Sequence, residues 1–275
     1  ETMVSVATGM ADRLDARMFE RFREIRNIAG LEPLANIWTG QPAGIRSVLE
    51  QMQSSLPEYA WIGFARTDGT VLEATGGLLE GVSVAERPWF TAGLKGTTVQ
   101  DVHDAKLLAS LLGPSPSGEP FRFVDVAVPV RDGDGNTIGV LGAHMSWTWA
   151  EVVRTAVLDT LEPRLRTDIW VVAADGRVLL GPEFGARPFP ESTIAAIQSK
   201  RQVNFTDDVE GGHMIGAVAS QGYLDYPGLG WMVVARQPLD IALAPANQLS
   251  NTIALIGAFS AMVGLVAAAL LARRL

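Results

Sequence analysis

Trp61-Ile62-Gly63-Phe64-Ala65-Arg66-Thr67-Asp68-Gly69-Thr70-Val71-Leu72 sets one apolar run against a second, shorter one across a polar turn. Asp-Gly between such runs favours a tight antiparallel hairpin, because glycine takes positive φ freely and the aspartate side chain closes the turn on its own backbone. Residues 59–65 are therefore expected to pair with residues 71–74. The arrangement returns later: Asp175-Gly176 follows the apolar run 169–174 and precedes Val178-Leu179. Each copy is then followed by two more apolar runs, 121–130 and 138–145 in the first and 214–220 and 231–235 in the second. Asp-Gly turns alone are common, but strand context and order recur with them, which points to two copies of one small antiparallel-sheet unit.

Helices are expected around these sheets. Met10, Leu14, Met18, Phe22, Ile25 and Ala29 recur at three- and four-residue steps with charged residues between them, so residues 1–30 read as a long amphipathic helix closed at Gly30. In a membrane-anchored protein such a helix can rise from the bilayer as a stalk; the plainer alternative is an ordinary packing helix, and the stalk is preferred. Ile45, Val48, Leu49 and Met52 mark a second helix ending before Pro57, and residues 87–94 a short third one. Residues 110–120, rich in Pro, Ser and Gly, read as a loop. Asp132-Gly133-Asp134-Gly135-Asn136 is the turn between the two longer strands, 121–130 and 137–147. A helix over 150–165 is expected to link the two sheet units, with the boundary near Arg166.

From residue 253 to residue 272 the chain is apolar except for Ser260, and it carries no charge. About 20 helical residues span roughly the 30 Å hydrocarbon thickness of a bilayer. Arg273 and Arg274 follow, and paired arginines beside a spanning helix favour the cytoplasmic side, leaving the sheets outside the cytoplasm. The alternative is a buried core helix, which normally shows a polar face. The expected organisation is thus a stalk at 1–30, a membrane-distal unit at 31–150, a linking helix at 151–166, a membrane-proximal unit at 167–238, a juxtamembrane helix at 239–252, a transmembrane helix at 253–272 and the start of a cytoplasmic part at 273–275.

Composition narrows the function. The 275 residues are 48% hydrophobic and 19% charged, enough to bury substantial cores. Thirty acidic against 22 basic residues give a net charge of -8, which opposes broad attraction to nucleic-acid phosphates. With no cysteine there are no disulfides, thiolate metal sites or cysteine nucleophiles, a composition that suits the periplasm. The chain starts at Glu1 with no signal-peptide pattern before the folded part, so the native start is expected upstream.

Three stretches resemble the double Cache family of extracytoplasmic sensors, in which two PAS-like sheets follow a long N-terminal helix. Glu86-Arg87-Pro88-Trp89-Phe90-Thr91-Ala92-Gly93 resembles that family's Arg-x-Trp-aromatic ligand motif on a short helix. Val128-Pro129-Val130-Arg131, Gly135 and Gly139-Val140-Leu141-Gly142-Ala143-His144 resemble its last two membrane-distal strands, and residues 230–238 the closing strand of the membrane-proximal unit. The resemblance implies an α+β fold: a long N-terminal helix, two PAS-like antiparallel-sheet domains and a C-terminal transmembrane helix. It also implies a small ligand held in the membrane-distal domain and a homodimeric receptor.

Carried over position by position, the resemblance places Arg87 on a ligand carboxylate, where a guanidinium fork fixes position and orientation together. It makes Trp89 an aromatic wall and Phe90 the residue where amino-acid receptors often carry tyrosine, while Val82 stands at a second such tyrosine position. His103 aligns with a further pocket position. His144 falls where those receptors place an aspartate for the ligand's ammonium, a service an imidazole cannot give a cation. A small organic anion is therefore expected rather than an ordinary α-amino acid, although Asp104 and Asp125 nearby could reverse that inference. Arg273-Arg274-Leu275 resembles the start of a HAMP relay, and the strands within 124–149 most resemble sensors attached to diguanylate cyclases of the GGDEF type. Histidine kinases and chemotaxis receptors use the same input module.

Structural roles compete for the same residues. Arg87 could cap its helix or pair with Glu86 or Asp101, at least one of the adjacent Trp89 and Phe90 is expected in the core, and a lone histidine in an apolar strand is commonly a core residue. His103, His144 and an aspartate lack the close spacing of a metal motif, so no metal or cofactor is expected. The 132–136 segment lacks the later glutamate of an EF-hand calcium loop. Nor is there a Gly-x-Ser-x-Gly elbow, a Gly-rich phosphate loop or a His-Glu-x-x-His motif, so this segment is not expected to be an enzyme. The competing classes are a membrane-tethered periplasmic hydrolase using Asp and His, and a scaffold that binds another protein.

Overall fold

The computed structural model describes residues 2–31, 36–115, 118, 120–207 and 212–273. Helix α1, Met3–Gly30, is followed by α2, Pro42–Ser55, and by the first sheet: β1 Tyr59–Arg66, β2 Val71–Ala74, β3 Thr98–His103, β4 Phe123–Arg131 and β5 Thr137–Ser146. Two short helices lie within it, α3 Pro88–Gly93 and α4 Lys106–Leu112, and α5, Thr148–Leu158, leads out of it. The second sheet holds β6 Asp168–Val172, β7 Val178–Leu180, β8 Gln202–Asp207, β9 His213–Ala219 and β10 Met232–Pro238, with α6, Glu191–Lys200, before β8. Helix α7, Leu239–Ala272, continues straight from β10.

Both sheets have one topology, β2-β1-β5-β4-β3 in the first and β7-β6-β10-β9-β8 in the second, with every pairing antiparallel. The repeated Asp-Gly turns occupy equivalent corners, and Gly69 and Gly176 take φ of 85° and 84°, a conformation that is costly with a Cβ. Two edge strands, β3 and β8, and two short helices, α4 and α6, complete the units where the sequence pattern assigns no element. Expected residues 150–165 form a helix only as far as Leu158; a short 3-10 turn, Pro163–Leu165, follows, because proline removes a helical donor and restricts the residue before it.

Each strand divides its side chains between two faces. In the first sheet Val124, Val126, Val128, Val130, Leu141, Ala143 and Met145 point to the α1 side, and Trp61, Phe123, Ala127 and Val140 to the other. The second sheet repeats the division, with Val171 and Val233 toward α1 and Val172, Ile215 and Val234 toward Ile194 and Ile197 of α6.

The first helix is a packing spine. α1 is buried from Met3 to Ala29 and lies in the one core cluster that runs through both sheets. Each large apolar side chain buried there contributes about 1.5–3 kcal/mol. Polar ties fix its rotation: Glu24 accepts from Tyr59 at 2.7 Å and from Arg21 at 2.8 Å, and Asp15 accepts from Ser220, Gln221 and Gly222 of the second unit at 2.6, 3.2 and 3.0 Å.

Among the described residues, α7 packs on the second sheet only through its first turns. Residues 239–252 and 253–272 form one continuous helix, whose most apolar stretch within Leu239–Ala269 has a mean hydropathy of 2.1 and no buried residue. That rules out the buried-core alternative for this helix: Leu255, Phe259 and Leu265 stand 72%, 66% and 72% exposed. Arg274 and Leu275 lie outside the described residues.

Candidate ligand-binding site

The pocket face of the first sheet, roofed by α3 and α4, encloses a cavity of about 680 Å³. That size suits a small ligand. Arg87, Trp89, His103, Asp104, Asp125 and His144 all line it, together with Val82. Phe90 does not: it is 2% exposed and stands edge-on behind Trp89 at 5.9 Å between ring centroids. As neighbours on a helix, the two rings must face different ways, so Phe90 is corrected to a core residue that backs the wall.

Trp89 lies flat on the sheet because β5 offers glycine beneath it; a Cβ on Gly142 would come within 2.5 Å of the Trp89 ring. Trp61 backs the same wall from the core, its ring 5.9 Å from that of Trp89 and its indole N–H donating to the Leu78 carbonyl at 2.9 Å. Arg87 is the N-cap of α3, yet its guanidinium neither caps the helix nor pairs with Glu86 or Asp101. Among the described residues it has no hydrogen-bond or ion-pair partner. A free guanidinium on a cavity wall retains its full capacity for a carboxylate.

At the floor, three groups from three adjacent strands meet. Asp125 of β4 sits directly across from His144 of β5 and forms a short hydrogen bond to its Nδ1. His103 of β3 brings Nε2 to 3.3 Å from the other Asp125 oxygen. Asp125 and His144 are almost wholly buried, and Trp61, Trp89 and Phe123 surround the His144 ring at 5.1, 5.7 and 6.1 Å. Asp125 thus stands between the two imidazoles.

Two β-bulges make this meeting possible. Pairing along β4 and β5 shifts by one residue between Val130 and Arg131, which places Asp125 opposite His144 rather than Ala143. A second shift, between Gln100 and His103, turns His103 to the pocket face while Val102 goes to the α1 core. The sequence signal for both was weak, since nothing in residue type marks either bulge.

The rim also carries an inter-unit tie. Asp101, on the cavity wall, accepts a hydrogen bond from the indole N–H of Trp231 at 2.7 Å. Trp231 is fully buried, lies tilted at 60° against Trp147 with 4.9 Å between ring centroids, and immediately precedes β10.

A long helix spanning two PAS-like antiparallel sheets, one of them holding a ligand-sized cavity, is the architecture of solved extracellular sensor domains. An extracellular ligand-binding receptor from Desulfohalobium retbaense aligns with a TM-score of 0.62 at 14% identity, over 85% of this chain and 39% of that one. The ligand-binding domain of the Pseudomonas aeruginosa amino acid chemoreceptor PctC, in complex with GABA, gives 0.62 at 19% identity, over 85% and 96%. The extracellular domain of the candidate histidine kinase rpHK1S-Z16 gives 0.62 at 14% identity, over 88% and 95%. At these identities the likeness establishes the fold. No protein-family profile and no curated protein matches the chain by sequence.

Proposed function

We propose that this chain is the extracytoplasmic sensing module of a transmembrane receptor, binding a small organic anion in the membrane-distal sheet and controlling a cytoplasmic output. The observation that carries the reading is an unpartnered Arg87 on the wall of a cavity of about 680 Å³, on a fold shared with ligand-binding domains. Arg87 supplies the carboxylate contact, Trp89 the apolar wall, and Lys106, also on the wall, a second positive charge.

A route for the signal runs from the cavity to the membrane. Ligand contact shifts β3, Asp101 transmits the shift to Trp231, and β10 passes it into α7 without an intervening loop. The ligand biases the signalling state only by its preference for one conformation. In this reading α7 spans the bilayer with its Arg273 end in the cytoplasm, the sheets lie in the periplasm and two copies act as a homodimer. The output is a diguanylate cyclase; a chemotaxis or histidine-kinase output has equal support, because such receptors stand among the fold's neighbours.

The test is thermal unfolding of the full chain in mild detergent against a panel of small mono- and dicarboxylates. A sensor is stabilised by a ligand recovered chemically unchanged, whereas a hydrolase returns product. Arg87→Ala removes the stabilisation without lowering the ligand-free Tm; an undiminished shift in that variant overturns the carboxylate contact.

A further inference from the structure

His103, Asp125 and His144 each present a ligating atom, and these atoms lie within 4.8 Å of one another at the cavity floor. Ligands around a divalent transition metal at bond lengths of about 2.0–2.2 Å stand roughly 3–3.5 Å apart. Side-chain rotation of about 1 Å therefore closes the set. Two imidazoles and one carboxylate on one side of an ion leave its remaining positions open.

The hydrogen bonding of His103 orients its ring toward the other two groups. Its Nδ1 lies 2.9 Å from the Asp101 backbone carbonyl, which can only accept, so Nδ1 carries the proton. That leaves Nε2 as the nitrogen facing the Asp125 carboxylate, 3.3 Å away. An imidazole held by a carbonyl through one nitrogen, with the other turned toward the ligating position, is the usual setting of a metal-bound histidine.

We propose that His103, Asp125 and His144 bind a divalent transition-metal ion of the zinc and nickel class, whose open positions face the cavity and take the ligand's carboxylate opposite Arg87. Calcium and magnesium, which take oxygen ligands, are excluded by the two imidazoles. This deepens the sensor reading and rests on it for the anion, while the ion itself depends only on the three side chains.

The test uses the full chain in mild detergent, stripped with a chelator and dialysed, then titrated with Zn²⁺, Ni²⁺, Mg²⁺ and Ca²⁺ by calorimetry. Expected is one Zn²⁺ or Ni²⁺ per chain, no heat from Mg²⁺ or Ca²⁺, and an affinity about 100-fold lower in His103→Ala. His103 is half-exposed on an edge strand, so this variant keeps the fold; Asp125→Asn provides the second removal. The chain has three histidines, and His213→Gln in the other sheet leaves binding unchanged. Absence of Zn²⁺ and Ni²⁺ binding in the stripped wild type, or undiminished binding in His103→Ala, overturns the metal site. Carboxylates are then titrated with and without Zn²⁺. Anion binding that needs the ion supports both readings; anion binding unaffected by the chelator sinks the bridging role alone, and ion binding with no anion sinks the organic-anion reading alone.

Discussion

Trp231→Phe should uncouple the two sheets energetically while leaving each folded. The indole N–H donates to Asp101 at 2.7 Å from a fully buried ring, and a phenyl ring keeps most of the contact with Trp147 but deletes the donor. Asp101→Ala deletes the acceptor and leaves that buried N–H unsatisfied, at a cost of about 1–3 kcal/mol. A hydrogen bond to a charged group contributes about 1.5–3 kcal/mol net, and Asp101 is only partly buried, so the lower end applies. Asp101 also accepts from the Val102 amide at 2.7 Å, but that bond is lost in both arms of a double-mutant cycle and cancels. The expected coupling is about 1.5 kcal/mol, read from urea unfolding of the full chain in mild detergent by far-UV circular dichroism. In thermal unfolding that corresponds to roughly 3–6 °C for a chain of this size. A coupling under about 0.5 kcal/mol, the scatter expected of independent sites, would refute the tie and the route drawn through it.

Other substitutions probe other links. Gly142→Ala puts a methyl against the Trp89 ring and should cost about 1–3 kcal/mol in thermal unfolding, with loss of carboxylate binding as the wall is displaced. Burial raises the Asp15 pKa from 3.8 despite its hydrogen bonds from Ser220, Gln221 and Gly222. A raised folded-state value means stability present below 3.8 and lost as pH climbs through the folded pKa. Asp15→Asn should flatten that segment of the pH–stability curve, and an unchanged slope there contradicts the assignment. Met262→Arg, in the middle of the apolar segment of α7, should cost about 2.5–3.5 kcal/mol of membrane insertion and make the protein extractable by alkaline carbonate.

What the sequence determined by itself was everything carried by local pattern. Hydrophobic period separated α1 from the strands, the repeated Asp-Gly turns announced two like sheets, and the uncharged run ending at Ala272 announced a helix with no place in a water-soluble core. These follow from the backbone and its nearest neighbours, so a reader of the chain can recover them. Arg87 and Trp89 were singled out by their resemblance to a ligand motif, and both line the cavity. Only the tertiary structure decided that α1 is a spine for both sheets, that Phe90 backs the wall instead of forming it, and that Asp101 reaches Trp231. It also decided that His103, Asp125 and His144, each expected near the pocket, stand in contact with one another. Each strand residue can face either side, and a one-residue bulge reverses the choice; whether that bulge forms depends on packing against helices distant in sequence.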